Sequence, residues 1–228
     1  MTNSERVRQP SVMARKHHIV TAIQLCALLW LTNLAGSSAM AQTQTWYLDP
    51  PHSAAQFSVR HMGISTVRGT FTKVGGVVVD DPSDRSKASV DVTIDASSLD
   101  TRVDMRDKDL RSEHYFEVVK YPTITFKSKR VEAAGAGKLK VTGDLTMHGV
   151  TKEVVLDVDG PTPPMKDPRG NSHCGVSATA KISRADYGMT FGAPMVGDEV
   201  AIQLDVELVD KAPGTPRPAQ GTPPPAAK

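Results

Sequence analysis

The 228-residue sequence predicts an all-β fold: about eight antiparallel strands closed into one barrel, with a short helix between strands. Three observations carry this. Apolar residues alternate with polar ones, as in Leu139, Val141, Leu145 and Met147 against Lys138, Lys140, Thr142, Asp144 and Thr146. Successive strand side chains point to opposite faces, so such a run has one dry face and one wet face. Short turns join the runs, at Ala134-Gly135-Ala136-Gly137 and at His148-Gly149, where glycine supplies the positive φ of a tight hairpin. From Thr101 to Val119 the two-residue rhythm gives way to spacings of three and four, and no domain break divides the chain. A two-sheet sandwich is the alternative architecture.

The elements follow in order. Arg15 and Lys16 precede a mostly apolar stretch from Ile19 to Leu34, followed by Ala39-Met40-Ala41. This reads as a signal peptide over residues 1–41, cut after Ala41, and implies a periplasmic, exported protein. A transmembrane anchor is the competing reading. The stretch is short for one and carries Thr21, Gln24, Thr32 and Asn33, so no span is expected after cleavage. Trp46 to Asp49 forms a first strand that Pro50-Pro51 stops. Ala55, Phe57, Val59 and His61 alternate with Gln56, Ser58 and Arg60, and Val67 to Val79 reads as continuing strand with a bend at Gly75-Gly76. Asp80 to Asp84 is turn chemistry, and Ala88, Val90, Val92 and Ile94 then alternate cleanly.

Val103, Arg106, Leu110 and His114 recur at spacings of three and four, which predicts a short helix over about Val103 to Ser112. Strands resume after Tyr121-Pro122 and run as a meander to Asp159. Gly160 to Ser172 is a surface loop. Val176, Ala178, Ala180 and Ile182 mark the next strand, and Val200, Ile202, Leu204, Val206 and Leu208 the last. The barrel domain thus spans residues 42–210, and the Pro/Ala-rich tail 211–228 has too little to bury to fold.

Charge excludes one class of function. The whole chain carries 27 Lys+Arg against 25 Asp+Glu, a net +2, but Arg6, Arg8, Arg15 and Lys16 against Glu5 belong to the signal region. Without that region the balance is −1, and without Lys211, Arg217 and Lys228 of the tail it is −4. A mildly acidic domain lacks the footprint of a nucleic-acid binder. Cys26 leaves with the signal, so Cys174 stands alone and no intrachain disulfide is expected.

Catalytic patterns are weak. His52, His61, His114, His148 and His173 form no pair at metal-ligand spacing on one element, and His148, in a hairpin turn, reads as a solvated residue. Asp104, Asp107 and Asp109 read as a solvated helix face. No catalytic residue, metal or cofactor is expected. The interior offers more. Its inward set, Ala88, Val90, Val92, Val176, Ala178 and Ala180, is small, and a barrel of this size either fills with side chains or encloses one small ligand. A packed core remains the competing reading.

Several stretches carry a resemblance: Trp46-Tyr47-Leu48-Asp49 with His52-Ser53, Phe57 to His61, Val67 to Phe71, and Leu110-Arg111-Ser112 with Tyr115-Phe116. Tyr121 to Phe126, Gly143 to Lys152, Ser183-Arg184 with Tyr187-Gly188-Met189, and Val196 to Val200 complete them in order. Together they resemble the YceI-like proteins, periplasmic lipocalin-like barrels that bind polyisoprenoids. The resemblance implies a lipocalin-like barrel around an apolar tunnel, holding an isoprenoid lipid, quinone, prenyl phosphate or similar long-chain amphiphile without catalysis. Phe57, Val59, Phe71, Val90, Val92, Tyr115, Phe116, Phe126, Leu139, Val141, Tyr187 and Met189 are the expected ligand-binding residues. Arg60, His61, Arg106, His114 and Arg184 are the candidates near the head group. Tyr115 and Tyr187 stand where the family more often has phenylalanine, and their hydroxyls would bond a head group or a backbone carbonyl. Two other readings stay open: an enzyme acting on a lipid or quinone with His61 or His114 as acid or base, and a solid-barrel interaction module. A homodimer is compatible with the sequence.

Overall fold

The alternation becomes a single sheet that closes on itself. A computed structural model describes residues 43–211. The expected signal region and most of the expected tail lie outside the described residues. The strands are β1 (Gln44–Leu48), β2 (Ala54–His61), β3 (Ser65–Phe71), β4 (Val74–Asp80), β5 (Ser89–Asp95) and β6 (Leu99–Asp100). After helix α1 (Asp104–Arg111) come β7 (Thr123–Ala133), β8 (Lys138–Met147), β9 (Val150–Asp159), β10 (Met165–Lys166), β11 (Ser172–Ser183) and β12 (Val196–Val209). No helix among the described residues is long and apolar enough to cross a membrane.

Closure runs through β12, which pairs antiparallel with β11 along most of its length, from His173↔Val209 to Ser183↔Glu199. Its other edge is shared. β1 takes its end through Tyr47↔Val209 and Leu48↔Leu208, and β2 takes the remainder from Val196↔His61 to Asp205↔Ala54. The ring β12-β11-β9-β8-β7-β5-β4-β1 is the eight-stranded antiparallel barrel expected, and β2-β3-β6 extends the sheet beside it.

The central meander forms as read. Met147 pairs with Val150, which leaves a two-residue turn at His148 (φ 53°) and Gly149 (φ 74°). Positive φ at both central positions is the turn whose twist suits a hairpin. The helix also falls where its spacing placed it. One boundary differs: Val67 to Val79 is two strands, not one bent strand. The chain breaks at Thr72-Lys73, where Thr72 N donates to Ser98 O and Asp95 N to Lys73 O, so that β3 stays beside β2 while β4 crosses to β1 and β5. Gly76 lies inside β4, where an added Cβ would meet Asp91 O at 2.5 Å. Its role is close strand approach, not a bend. Asp107 also departs from the solvated face expected of it. It is 5% exposed and accepts from the backbone N–H of Thr101 at 2.9 Å and from the Thr101 hydroxyl, tying α1 to the end of β6.

Candidate functional site: an apolar cavity in the barrel

Parity along the ring strands decides what faces inward. Val90 and Val92 of β5, Val141 and Leu145 of β8, and Leu204 and Val206 of β12 project into a cavity of about 270 Å³. Short β-branched and alanine side chains at Val78, Ala88, Val176 and Ala178 leave this space open. Apolar cavities of this kind stay dry and take up apolar guests. Such a wall is suited to be filled by a hydrocarbon.

The charged side chains on this wall, among the described residues, are Asp80, Arg85 and Arg184. Asp80, at the end of β4, is 9% exposed and pairs with Nη1 of Arg85 from the 3-10 turn Arg85–Lys87. Arg85 is a third exposed, with N–H donors beyond the one given to Asp80. Arg184 differs. Its Nε donates to Gly197 O at 2.8 Å, Nη1 to Met189 O at 2.5 Å and Phe191 O at 2.8 Å, and Nη2 to Val196 O at 2.9 Å. It is 5% exposed, and its donors are spent on holding the β11–β12 connection. Cys174, the free cysteine of the described residues, also lines the wall, and burial pushes its thiol up to about 11, which leaves it a neutral, unreactive thiol at ordinary pH.

The YceI-like domain family matches residues 46–208, almost the whole of this barrel. The chain belongs to the YceI-like family. A UPF0312 protein of Vibrio cholerae serotype O1 is 37% identical over 161 residues, covering 70% of this chain and 83% of that protein. Among solved structures, a Campylobacter jejuni YCEI protein matches with a TM-score of 0.60 at 32% identity, over 67% of this chain and 90% of that one. A polyisoprenoid binding domain from Saccharophagus degradans, implicated in plant cell wall breakdown, shares the fold at a TM-score of 0.56 and 18% identity, over 73% of this chain and 98% of that domain.

In this YceI-like barrel, Phe57, Val59, Phe71, Val90, Val92, Phe126, Leu139, Val141 and Met189 stand on the cavity wall, as do Tyr115 and Phe116 from the segment after α1. Phe57, Phe71 and Phe116 pack in sequence, with ring centroids 5.7 Å and 5.6 Å apart. Tyr187 is not on the wall, which corrects its assignment. It is 1% exposed and sealed into the core, and its hydroxyl is buried without a hydrogen-bond partner.

The head-group candidates are not brought together on the wall. Arg60 is exposed and donates to Thr66 Oγ1 at 2.9 Å and Gly63 O at 2.5 Å, holding the β2–β3 turn. His61 ends β2 opposite Ser65, off the wall. Arg106 bonds the hydroxyl and carbonyl of Thr101, each at 2.8 Å. His114 stacks on Phe191 at 4.0 Å and meets Asp109 at 2.8 Å. Arg184 reaches the wall but spends its donors on backbone. Arg106 and Arg184 have a common reason: a cation beside an apolar interior satisfies nearby carbonyls and hydroxyls before it waits for a ligand.

Two residues were missed. Arg85 sits in a stretch whose Asp and Ser content reads only as a turn. His148 is not solvated: its ring is 17% exposed, packs against Tyr121 at 4.9 Å and faces Glu117 at 3.6 Å.

Proposed function

We propose that the chain is a non-catalytic carrier or store for a long-chain isoprenoid lipid, such as a quinone or prenyl phosphate, held in the barrel cavity. The observation that supports this is the cavity's wall, apolar almost throughout and lined from every strand of the ring. The Saccharophagus degradans domain, described as polyisoprenoid binding, has the same fold and points to the same ligand class. With the export signal read at residues 1–41, the carrier would act in the periplasm.

The energetics suit the cargo. Each buried CH₂ contributes about 0.8 kcal/mol, so some twenty such groups give about 16 kcal/mol gross, near the practical ceiling for any complex before ordering costs. The tail needs no charged anchor. Arg85, held by Asp80, is the group we assign to the polar end, since it keeps spare donors at the wall. Neither His61 nor His114 lines the cavity, so an acid–base role on its contents finds no support in the geometry.

A tail-length series tests this reading. Purified protein is titrated with prenyl alcohols and prenyl phosphates of increasing chain length. Affinity is expected to climb severalfold per isoprene unit until the cavity is full, and Arg85→Met should erase the preference for the phosphate while keeping the dependence on tail length. Affinity independent of tail length would overturn the proposal.

A further inference from the structure

Glu207 stands where the barrel is joined most sparingly. β1 contributes two residue pairs to β12, and the chain then leaves the sheet through Asp49 to Ser53 before β2 resumes the pairing. Backbone bonds fix this detour against Glu207: Asp49 N donates to Glu207 O at 2.9 Å, and Glu207 N donates to Ser53 Oγ at 3.2 Å. Ligand-capable atoms of Asp49, His52 and Glu207 then lie within 4.8 Å of one another. His52 Nδ1 is 2.6 Å from Asp49 Oδ2, and its side chain is 64% exposed. From the other side, His173 Nδ1 meets Glu207 Oε1 at 2.7 Å. Its Nε2 is buried with no hydrogen-bond partner, 3.5 Å from Asp167 Oδ2.

We propose that Asp49, His52 and Glu207 form a site for a first-row divalent cation of the zinc type, which rivets the β1–β2 corner to β12. One imidazole nitrogen and two carboxylates are a ligand set such ions accept, with water completing the shell. Ligands 2.0–2.2 Å from a tetrahedral ion stand roughly 3.4 Å apart, so small rotations of these side chains suffice. An isolated surface pair of His52 with Asp49 would do little and would leave a second carboxylate beside it. A dication joins all three. His173 is the positioning residue, since a hydrogen bond from outside the ligand shell fixes the orientation of Glu207. Glu207 comes from a segment far in the chain from Asp49 and His52, which is why no spacing pattern shows the set.

The test is calorimetric titration of the tag-free chain, stripped with chelator, with Zn²⁺ alone. One saturable site whose occupancy raises the unfolding temperature is expected. His52→Asn and Glu207→Gln should each weaken it at least tenfold, and His173→Ala about 10–100-fold. Asp157→Asn, on the outer face of β9, should change nothing. His52→Asn alters an exposed turn with no buried residue and keeps the fold, so its effect is readable even if Glu207→Gln does not fold. Absence of saturable binding, or binding that His52→Asn leaves intact, overturns the site.

Discussion

The Nδ1 of His148 lies 2.8 Å from the backbone carbonyl of Tyr187, joining the tip of the β8–β9 hairpin to the turn after β11. The ring is wedged further by Tyr121, whose side chain occupies the space a Cβ on Gly149 would need, 2.5 Å away. Three stretches of chain therefore meet at one imidazole. Removing it with His148→Ala leaves a carbonyl without its donor and opens the packing. A loss of about 1–3 kcal/mol is expected, measured by urea unfolding.

The Tyr187 hydroxyl is buried without a partner, a standing cost that Tyr187→Phe removes. A gain of about 1–2 kcal/mol is expected. The same site sets a pH dependence. Burial pushes the Tyr187 phenol from its ordinary value near 10 up to about 12. The unfolded chain therefore gives up this proton first, and stability falls as pH rises from roughly 10 to 12, while below that window the group contributes no slope. Unfolding curves across this range should be flatter for Tyr187→Phe than for the wild-type chain.

Arg184 was placed with the head-group candidates because it is a cation beside an apolar region, yet it bonds four carbonyls of the β11–β12 connection. Arg184→Lys exchanges a fork of five donors for a compact ammonium with three. It should cost on the order of 2–4 kcal/mol and lower the unfolding temperature, while the folded protein keeps its discrimination between prenyl alcohol and prenyl phosphate. Loss of that discrimination without loss of stability would return Arg184 to the ligand.

These residues also show how far the sequence could be read. Parity along β5, β8, β11 and β12 is a local property of the chain, so the ring and most of its wall were legible: Val90, Val92, Leu139 and Val141 line the cavity because alternation leaves them no other face. Ala180 shows the edge of that method, since it shares the parity of Ala178 but does not reach the cavity. The break at Thr72-Lys73 was not legible, for neither residue carries turn chemistry and the crossover is held by backbone bonds to Ser98 and Asp95. Tyr187 failed for another reason: it is the last residue of the 3-10 turn Ala185–Tyr187, where the two-residue rhythm lapses and tertiary contacts decide which way the ring points. The charged groups were least legible. Pairings such as Arg85 with Asp80 and His173 with Glu207 depend on which strand ends the closed ring brings together.

The central claim is that the cavity holds a long hydrocarbon tail, and the most direct measurement is of what the protein carries. The chain is purified from cells without detergent, weighed intact by native mass spectrometry, then extracted with organic solvent and the extract analysed. The expected result is one long-chain prenyl amphiphile per protein, absent from a Val92→Trp variant that fills the cavity. Repeated recovery of protein free of any amphiphile, together with no uptake of added prenyl lipid, would contradict it.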